Sequence, residues 1–248
     1  MTHELATRIA LAAALGLVAA AGNLLGGYFV VRKDWSRKFL QYFVALGAGY
    51  MLAVAFLEVI PESIRLSNAS EALLFVLIGY FIVHLFEHTI APHFHFGDQS
   101  DCGHEDHGHG RASVLIGLTI HTFFDGVAIA AGFLVSTWLG VAIFVAVFLH
   151  KLPEGFTVAS VVLASGQGRK KAILAAGLLG AATILGVVLT SSLQGQLRYA
   201  LPLSGGVTLY VAATDLLPEV NKEPNWRMAL LVFVGLATML ILQHLFHV

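Results

Sequence analysis

Long apolar stretches alternate with short polar ones along almost the whole chain. A helix needs about 20 consecutive apolar residues to cross the hydrocarbon core of a bilayer. Eight stretches meet this length, at roughly 5–31, 41–60, 71–90, 113–136, 138–164, 172–192, 200–219 and 227–246. None of them shows the polar face of a helix on the surface of a soluble protein. The pattern therefore predicts an all-α membrane protein with eight transmembrane helices, in a single polytopic domain over residues 1–248.

Composition narrows the class further. Of the 248 residues, 57% are hydrophobic and only 12% are charged, whereas about 25% of residues are charged in soluble domains. The single cysteine, Cys102, excludes a disulfide framework. The formal net charge of −1 gives no reason to expect a nucleic-acid partner. We expect the lipid bilayer to cover the apolar surface.

Lysine and arginine positions predict the orientation, because short cytoplasmic loops carry an excess of them. The loops after the odd-numbered stretches contain ten, at Arg32, Lys33, Arg37, Lys38, Arg111, Arg169, Lys170, Lys171, Lys222 and Arg227. The opposite side has three, at Arg8, Arg65 and Arg198. Both termini are therefore predicted outside, and the loop between stretches 3 and 4 is predicted to be cytoplasmic. The compact chain favours a prokaryotic cytoplasmic (inner) membrane.

Ionisable side chains within apolar stretches usually mark a site or a pathway. Stretch 4 contains His121 and Asp125, and stretch 5 contains His150 and Glu154. Each histidine precedes its carboxylate by four residues, which places the two on one helix face. A lone intramembrane histidine is more often a packing residue, but two matched segments on consecutive helices favour a metal site. Imidazole with carboxylate suits zinc and tolerates iron, manganese or cadmium.

Segments 58–62 and 215–219 share a second pattern, acid-x-x-Pro-Glu, at the ends of stretches 2 and 7. These two stretches run in opposite directions through the membrane, as do stretches 4 and 5. Matched segments in opposite orientation are typical of inverted repeats in transporters, so we predict a 3+2+3 arrangement. The alternative interpretation is that Pro61 and Pro218 are ordinary helix stops.

A histidine-rich loop is predicted between stretches 3 and 4, at about 91–112, and we interpret it as flexible and cytoplasmic. It offers weak, auxiliary metal ligands, although it could also be a solvated linker. Its histidines are His93, His95, His104, His107 and His109. Just before it, His84, Glu87 and His88 match H-x-x-E-H, a zinc-protease pattern. Without the context of a protease cleft, packing or a place on the metal route is the better interpretation.

Together these segments resemble the ZIP (Zrt-, Irt-like) family of divalent metal transporters. The resemblance is carried by segments 121–126, 150–155 and 203–219, and it extends over nearly the whole chain. It implies a non-enzymatic membrane transporter that moves zinc or a similar ion toward the cytoplasm, often as a homodimer. The metal is transported, and no cofactor is implied.

The resemblance also implies residue roles. Segments 121–126 and 150–155 correspond to the primary metal site, with ligands His121, Asp125, His150 and Glu154. Met51, Glu58 and Asp215 correspond to positions along the transport path, on which we also place Lys151.

Two residues depart from the pattern of family members with a two-metal centre, which usually have Asn after the first histidine and Asp or Asn after the second. Here these positions are Thr122 and Lys151. We predict that the ammonium of Lys151 stands where a second ion would bind and pairs with Asp125 or Glu154. The alternative is that Lys151 extends toward the interface.

Other functions remain open at this stage. An intramembrane metalloenzyme would use the same ligands to activate water, and it would need an open coordination position and a substrate cleft. A metal efflux carrier would share the histidine-rich loop but work in the opposite direction. A metal sensor is disfavoured because no soluble output domain is predicted.

Overall fold

The computed structural model describes residues 3–32, 37–89, 107–222 and 225–246, and within these ranges it contains helices and no strand. Eight helices in this part of the chain are long and apolar enough to cross a membrane, so the predicted class is confirmed. They are α1 (His3–Arg32), α2 (Leu40–Leu66), α3 (Ala69–Glu87), α4 (Leu115–Val135), α5 (Thr137–Ala164), α6 (Arg169–Ser192), α7 (Gln194–Asn221) and α8 (Trp226–Phe246).

Helices α2 and α7 do not stop at their prolines. Each widens into a π-helical segment, Ala55–Val59 in α2 and Val211–Leu216 in α7, and then continues as α-helix beyond Pro61 or Pro218. Each proline falls where the hydrogen bonding returns to the α-helical pattern. Because proline has no N–H, it leaves no donor unsatisfied at this point. The interpretation of Pro61 and Pro218 as helix stops is therefore wrong.

Helical structure begins inside the predicted histidine-rich loop. The helix that contains α4 starts at His107 and includes His109. His93, His95 and His104 lie outside the described residues, so the auxiliary ligand role of this loop stays a prediction.

The helices form two layers, and we call the one made of α1, α4, α5 and α6 the four-helix bundle. Its helices pack on one another, and α1–α5 and α4–α6 are their most extensive contacts. In the second layer, α2 packs against α8 and α3 packs against α7. The two layers meet where α2 contacts α5 and where α7 contacts α4. Helices α4 and α5 are thus enclosed by their neighbours, and they carry the candidate metal ligands.

Glycines bring the backbones of paired helices into contact. A Cβ added at Gly26 of α1 would lie 2.2 Å from the carbonyl oxygen of Leu152 in α5. One added at Gly155 of α5 would lie 2.0 Å from the carbonyl oxygen of Asn23 in α1. No side chain fits at either position. Small residues allow this close approach between membrane helices.

The α4–α6 pair repeats this arrangement. A Cβ at Gly186 of α6 would lie 2.1 Å from the carbonyl oxygen of Phe123, and one at Gly126 of α4 would lie 2.0 Å from that of Thr183. Gly186 follows Thr183 by three residues, just as Gly26 follows Asn23. The α2–α8 and α3–α7 pairs have matching contacts, Gly49 with Val232, Gly235 with Leu46, Gly206 with Val76 and Gly79 with Leu203.

Candidate metal centre

The four predicted ligands meet between α4 and α5. His121, Asp125, His150 and Glu154 are all buried, and one potential ligand atom from each lies within 4.8 Å of the other three. The centroids of the two imidazole rings are 5.5 Å apart. The four-residue spacing on each helix and the packing of the two helices together produce this cluster. Among the described residues, no other group of three or more histidine, cysteine or acidic side chains is arranged to hold a metal.

The tautomer of His150 is defined by its hydrogen bond. Its Nδ1 lies 3.0 Å from the carbonyl oxygen of Ala146, which can only accept, so Nδ1 carries the proton and donates. In the neutral ring, Nε2 then has a free lone pair, and it lies 3.3 Å from Oδ2 of Asp125. Two acceptors facing each other at this distance are well suited to sharing a cation. A metal-binding histidine almost always donates its other ring N–H to a carboxylate, a backbone carbonyl or water, and this contact of His150 agrees with such a role.

His121 and Asp125 also have capacity left for a ligand. Nε2 of His121 lies 3.3 Å from Oδ2 of Asp125. Nδ1 of His121 and Oδ1 of Asp125 are buried and have no hydrogen-bond partner within the described ranges. Buried polar atoms are rarely left without partners. An ion or a water molecule bound to these two atoms would therefore supply the partners that they lack.

Lys151 enters the cluster as a fifth, positively charged member. It is fully buried, and its Nζ donates to Oδ2 of Asp125 at 2.5 Å and to Oε2 of Glu154 at 2.7 Å. The alternative in which it extends toward the interface is wrong, because the side chain is completely enclosed. Gly22 of α1 makes room for it, since an added Cβ there would lie 3.1 Å from Cβ of Lys151.

Two polar residues complete the surroundings of Glu154. The hydroxyl of Thr122 is hydrogen-bonded to Oε1 of Glu154 and also lies 2.6 Å from the carbonyl oxygen of Leu118. With its amide oriented so that the NH2 group faces α5, Asn23 donates to Oε2 of Glu154 at 3.2 Å. Sequence analysis did not identify Asn23. Its only signal was a polar amide inside an apolar stretch, next to glycines.

The donor set fits a divalent transition metal. In a tetrahedral zinc site with bonds of about 2 Å, the ligand atoms lie about 3.4 Å from one another. The atoms here are within 4.8 Å of one another, so an ion would have to draw them slightly closer. Two imidazoles and two carboxylates match zinc and related ions and do not suit the all-oxygen preference of magnesium or calcium.

Of the four residues assigned to the transport path, Lys151 lies in this cluster and the other three lie outside it. Met51 is fully buried in α2, and Glu58 belongs to the π-helical segment of the same helix. Asp215 belongs to the corresponding segment of α7, where Thr214 donates to its Oδ1 at 3.3 Å. Both π-helical segments therefore contain an acidic residue.

The H-x-x-E-H segment makes a contact between helices. Tyr210 of α7 donates its hydroxyl proton to Oε2 of Glu87 at 2.8 Å, and its ring centroid lies 6.0 Å from that of His84. Glu87 thus fastens the end of α3 to α7. This contact agrees with the packing interpretation.

Comparison with known proteins identifies the family. A sequence model of the ZIP zinc transporters matches residues 5–114 and 109–243, which together cover most of the chain. The chain belongs to the ZIP zinc transporter family. The resemblance found in the sequence is confirmed.

Similar ZIP proteins occur in distant organisms. The chain is 29% identical over 242 residues to the zinc transporter ZupT of Enterobacter sp. (strain 638), covering 91% of this chain and 93% of the relative. It is 25% identical over 256 residues to the zinc transporter ZIP9-B of Xenopus laevis, covering 84% of each. It is 32% identical over 144 residues to the zinc transporter ZIP13 homolog of Drosophila melanogaster, covering 53% of this chain and 40% of that one.

Proposed function

We propose that this ZIP protein transports zinc or a similar divalent transition metal across a membrane and toward the cytoplasm. The observation that carries the proposal is the buried cluster of His121, Asp125, His150 and Glu154 in the middle of two membrane helices. Burying such groups in an apolar environment is costly, and they are retained where they bind or conduct ions. Family membership supports the same function.

The cluster exchanges water for protein ligands around the ion. Two neutral imidazoles and two carboxylates replace the hydration shell, and the carboxylates offset the positive charge. Because the four side chains are almost completely enclosed, an ion can enter and leave only when the surrounding helices move. We propose that the four-helix bundle of α1, α4, α5 and α6 moves against α2, α3, α7 and α8, which opens the site to one side at a time.

An inverted repeat would explain how the same site can open to either side of the membrane. We propose that α1–α3 correspond to α6–α8 and that α4 corresponds to α5, as in the predicted 3+2+3 arrangement. The matched glycine contacts support this correspondence, because Gly26 and Gly186 occupy equivalent places in the α1–α5 and α4–α6 pairs. The π-helical segments with their acidic residues, at equivalent places in α2 and α7, support it further.

Several finer features belong to the same proposal. The site accepts cadmium, iron(II) or manganese besides zinc. Two copies of the chain form a homodimer. The protein lies in a prokaryotic inner membrane, and both termini face away from the cytoplasm. The path is lined by Met51, Glu58, Lys151 and Asp215, and the protein has no enzymatic activity. The mixed nitrogen and oxygen donors support the range of metals.

Uptake of labelled zinc into proteoliposomes tests the proposal. His121→Ala and Glu154→Ala should each reduce the initial rate to about a tenth or less, since each removes one of four ligands. A triple change of His104, His107 and His109 to Ala serves as the control and should keep most of the activity. Wild-type transport by Glu154→Ala at equal protein content would contradict the site, and hydrolytic activity without uptake would favour an enzyme.

A further inference from the structure

Asn23 is a buried amide in the middle of an apolar membrane helix. Its relative exposure is 0%, and it lies on the face of α1 that contains Gly22, Gly26 and Gly27. A buried amide without hydrogen bonds is costly, so its partners indicate why an amide is present. The carbonyl oxygen of Lys151 and Oε2 of Glu154 can only accept, so we assign the amide with its NH2 group toward α5. It then donates to the Lys151 carbonyl at 2.7 Å and to Oε2 of Glu154 at 3.2 Å.

We propose that Asn23 is a positioning residue of the metal centre, and that it fixes the carboxylate of Glu154 and so sets how tightly the ion is held. The inference rests on the proposed function, because it assumes that Glu154 binds the transported ion. It adds a third helix, α1, to a site otherwise built by α4 and α5.

The close contact of α1 with α5 makes this role possible. The backbone of Asn23 touches Gly155, where an added Cβ would lie only 2.0 Å from the Asn23 carbonyl oxygen. Gly22 lies against Lys151 in the same way, with 3.1 Å between an added Cβ and Cβ of Lys151. At this separation a side chain as short as asparagine reaches the carboxylate. The glycines of α1 and α5 therefore contribute to the positioning of Glu154, because they allow the two helices to approach closely.

Asn23 supplies a directional constraint that Lys151 does not. Both donate to Oε2 of Glu154. The ammonium of lysine is a point charge on a flexible stem, which attracts the carboxylate without fixing its direction. The amide is planar, and its second N–H is anchored on the backbone of α5, so it holds the carboxylate in one orientation. Outer hydrogen bonds of this kind typically change metal affinity by about 10- to 100-fold.

Thr183 of α6 offers a matched control. It occupies the place in the α4–α6 pair that Asn23 occupies in the α1–α5 pair, and it is equally buried. Its hydroxyl, however, donates at 3.4 Å to the carbonyl oxygen of Leu179 within its own helix, and no contact with the cluster is present in the described part of the chain. Thr183→Val therefore removes a buried polar group from an equivalent place without touching the metal centre.

Cobalt(II) binding to the purified full-length chain, followed by its visible absorption, is the decisive measurement. Asn23→Leu keeps the shape of the side chain and removes both donors. We expect it to weaken cobalt binding about tenfold and to shift the ligand-field bands, because Glu154 loses its fixed orientation. In zinc uptake, KM should rise in proportion while the maximal rate stays within about twofold. Thr183→Val should match the wild type in all three readouts.

Each outcome bears on the proposal. Wild-type affinity and spectrum in Asn23→Leu would overturn it, as would an equal loss in Thr183→Val, which would indicate a general effect of polar groups in the bundle. Asn23→Ala adds no atoms and gives the same comparison if the leucine variant does not fold. His121→Ala distinguishes a failure of the role of Asn23 from a failure of the proposed metal site. If it abolishes binding while the Asn23 variants bind normally, only the role of Asn23 fails. If it binds cobalt like the wild type, the metal site fails as well.

Discussion

Lys151 changes the charge balance of the metal centre. Its ammonium is hydrogen-bonded to both Asp125 and Glu154, so with neutral imidazoles the empty cluster has a net charge of −1. One divalent ion brings the net charge to +1, and a second would bring it to +3. In a site of low dielectric constant, like charges a few ångströms apart repel by several kcal/mol. We therefore expect the cluster to hold one ion, with the ammonium of Lys151 in the place of a second cation.

We predict one metal ion per protomer in the wild-type protein and two in Lys151→Asp. The substitution replaces the resident cation with a further carboxylate and creates room for a second ion. Lys151→Arg keeps the charge and should still bind one. Anomalous scattering from crystals soaked in cadmium would locate the ions. Two strong peaks within about 5 Å in the wild type, bridged by carboxylates as in two-metal sites, would contradict the prediction.

Residue spacing determines which parts of this centre the sequence could predict. The four ligands fall at i and i+4 on two consecutive apolar helices, and this pattern is readable because the helical period puts each pair on one face. The pairing of Lys151 with carboxylates also followed from its position beside His150. Asn23 could not be predicted, since a single amide in α1 has no periodic partner. Its role depends on the distance between α1 and α5, which is a property of the packing.

At the scale of the helix, apolar length predicted all eight elements but not their irregular interiors. The π-helical segments of α2 and α7 were missed because one extra residue in a turn leaves the apolar pattern unchanged. The prolines at 61 and 218 were visible, but proline signals a helix stop more often than a return from π- to α-helix. Acidic residues before both prolines, Glu58 and Asp215, were the available signal, since π-helical turns are frequent at functional sites.

Glycine contacts between helices give a testable prediction at this scale. Gly26→Ala and Gly186→Ala each place a methyl group about 2 Å from a backbone carbonyl of the facing helix, which cannot be relieved by rotating a side chain. We expect each to destabilise the protein by about 1–3 kcal/mol, as overpacking does. Thermal melting in detergent would measure the effect.

A third helical glycine controls for the change of residue type. At Gly177 of α6 an added Cβ meets only a side-chain methyl of Leu24, at 3.4 Å. Gly177→Ala should therefore be neutral or stabilising, because alanine is favoured over glycine in a helix by about 1 kcal/mol. Equal melting of all three variants would mean that the close backbone contacts do not contribute to stability.

At the scale of the whole molecule, the positions of the basic residues predict the orientation of the protein in the membrane. Helix α6 begins with Arg169, Lys170 and Lys171, although cations are unfavourable at the N-terminal end of a helix dipole. An excess of basic residues is typical of short cytoplasmic loops and would account for them. Together with the other basic loops, they predict that the α5–α6 connection lies inside and the α6–α7 connection outside.

Two exposed glycines provide matched reporters of this orientation. Gly168 lies between α5 and α6, and Gly195 lies in the first turn of α7, just after the α6–α7 connection; at both positions an added side chain meets only open space. With Cys102 replaced by serine, Gly195→Cys should react with a membrane-impermeant maleimide in intact cells. Gly168→Cys should react only after the membrane is permeabilised. Because the two reporters flank a single membrane helix, they must differ in any correctly inserted protein. The reverse pattern would place both termini in the cytoplasm and would contradict the orientation inferred from ten basic residues against three.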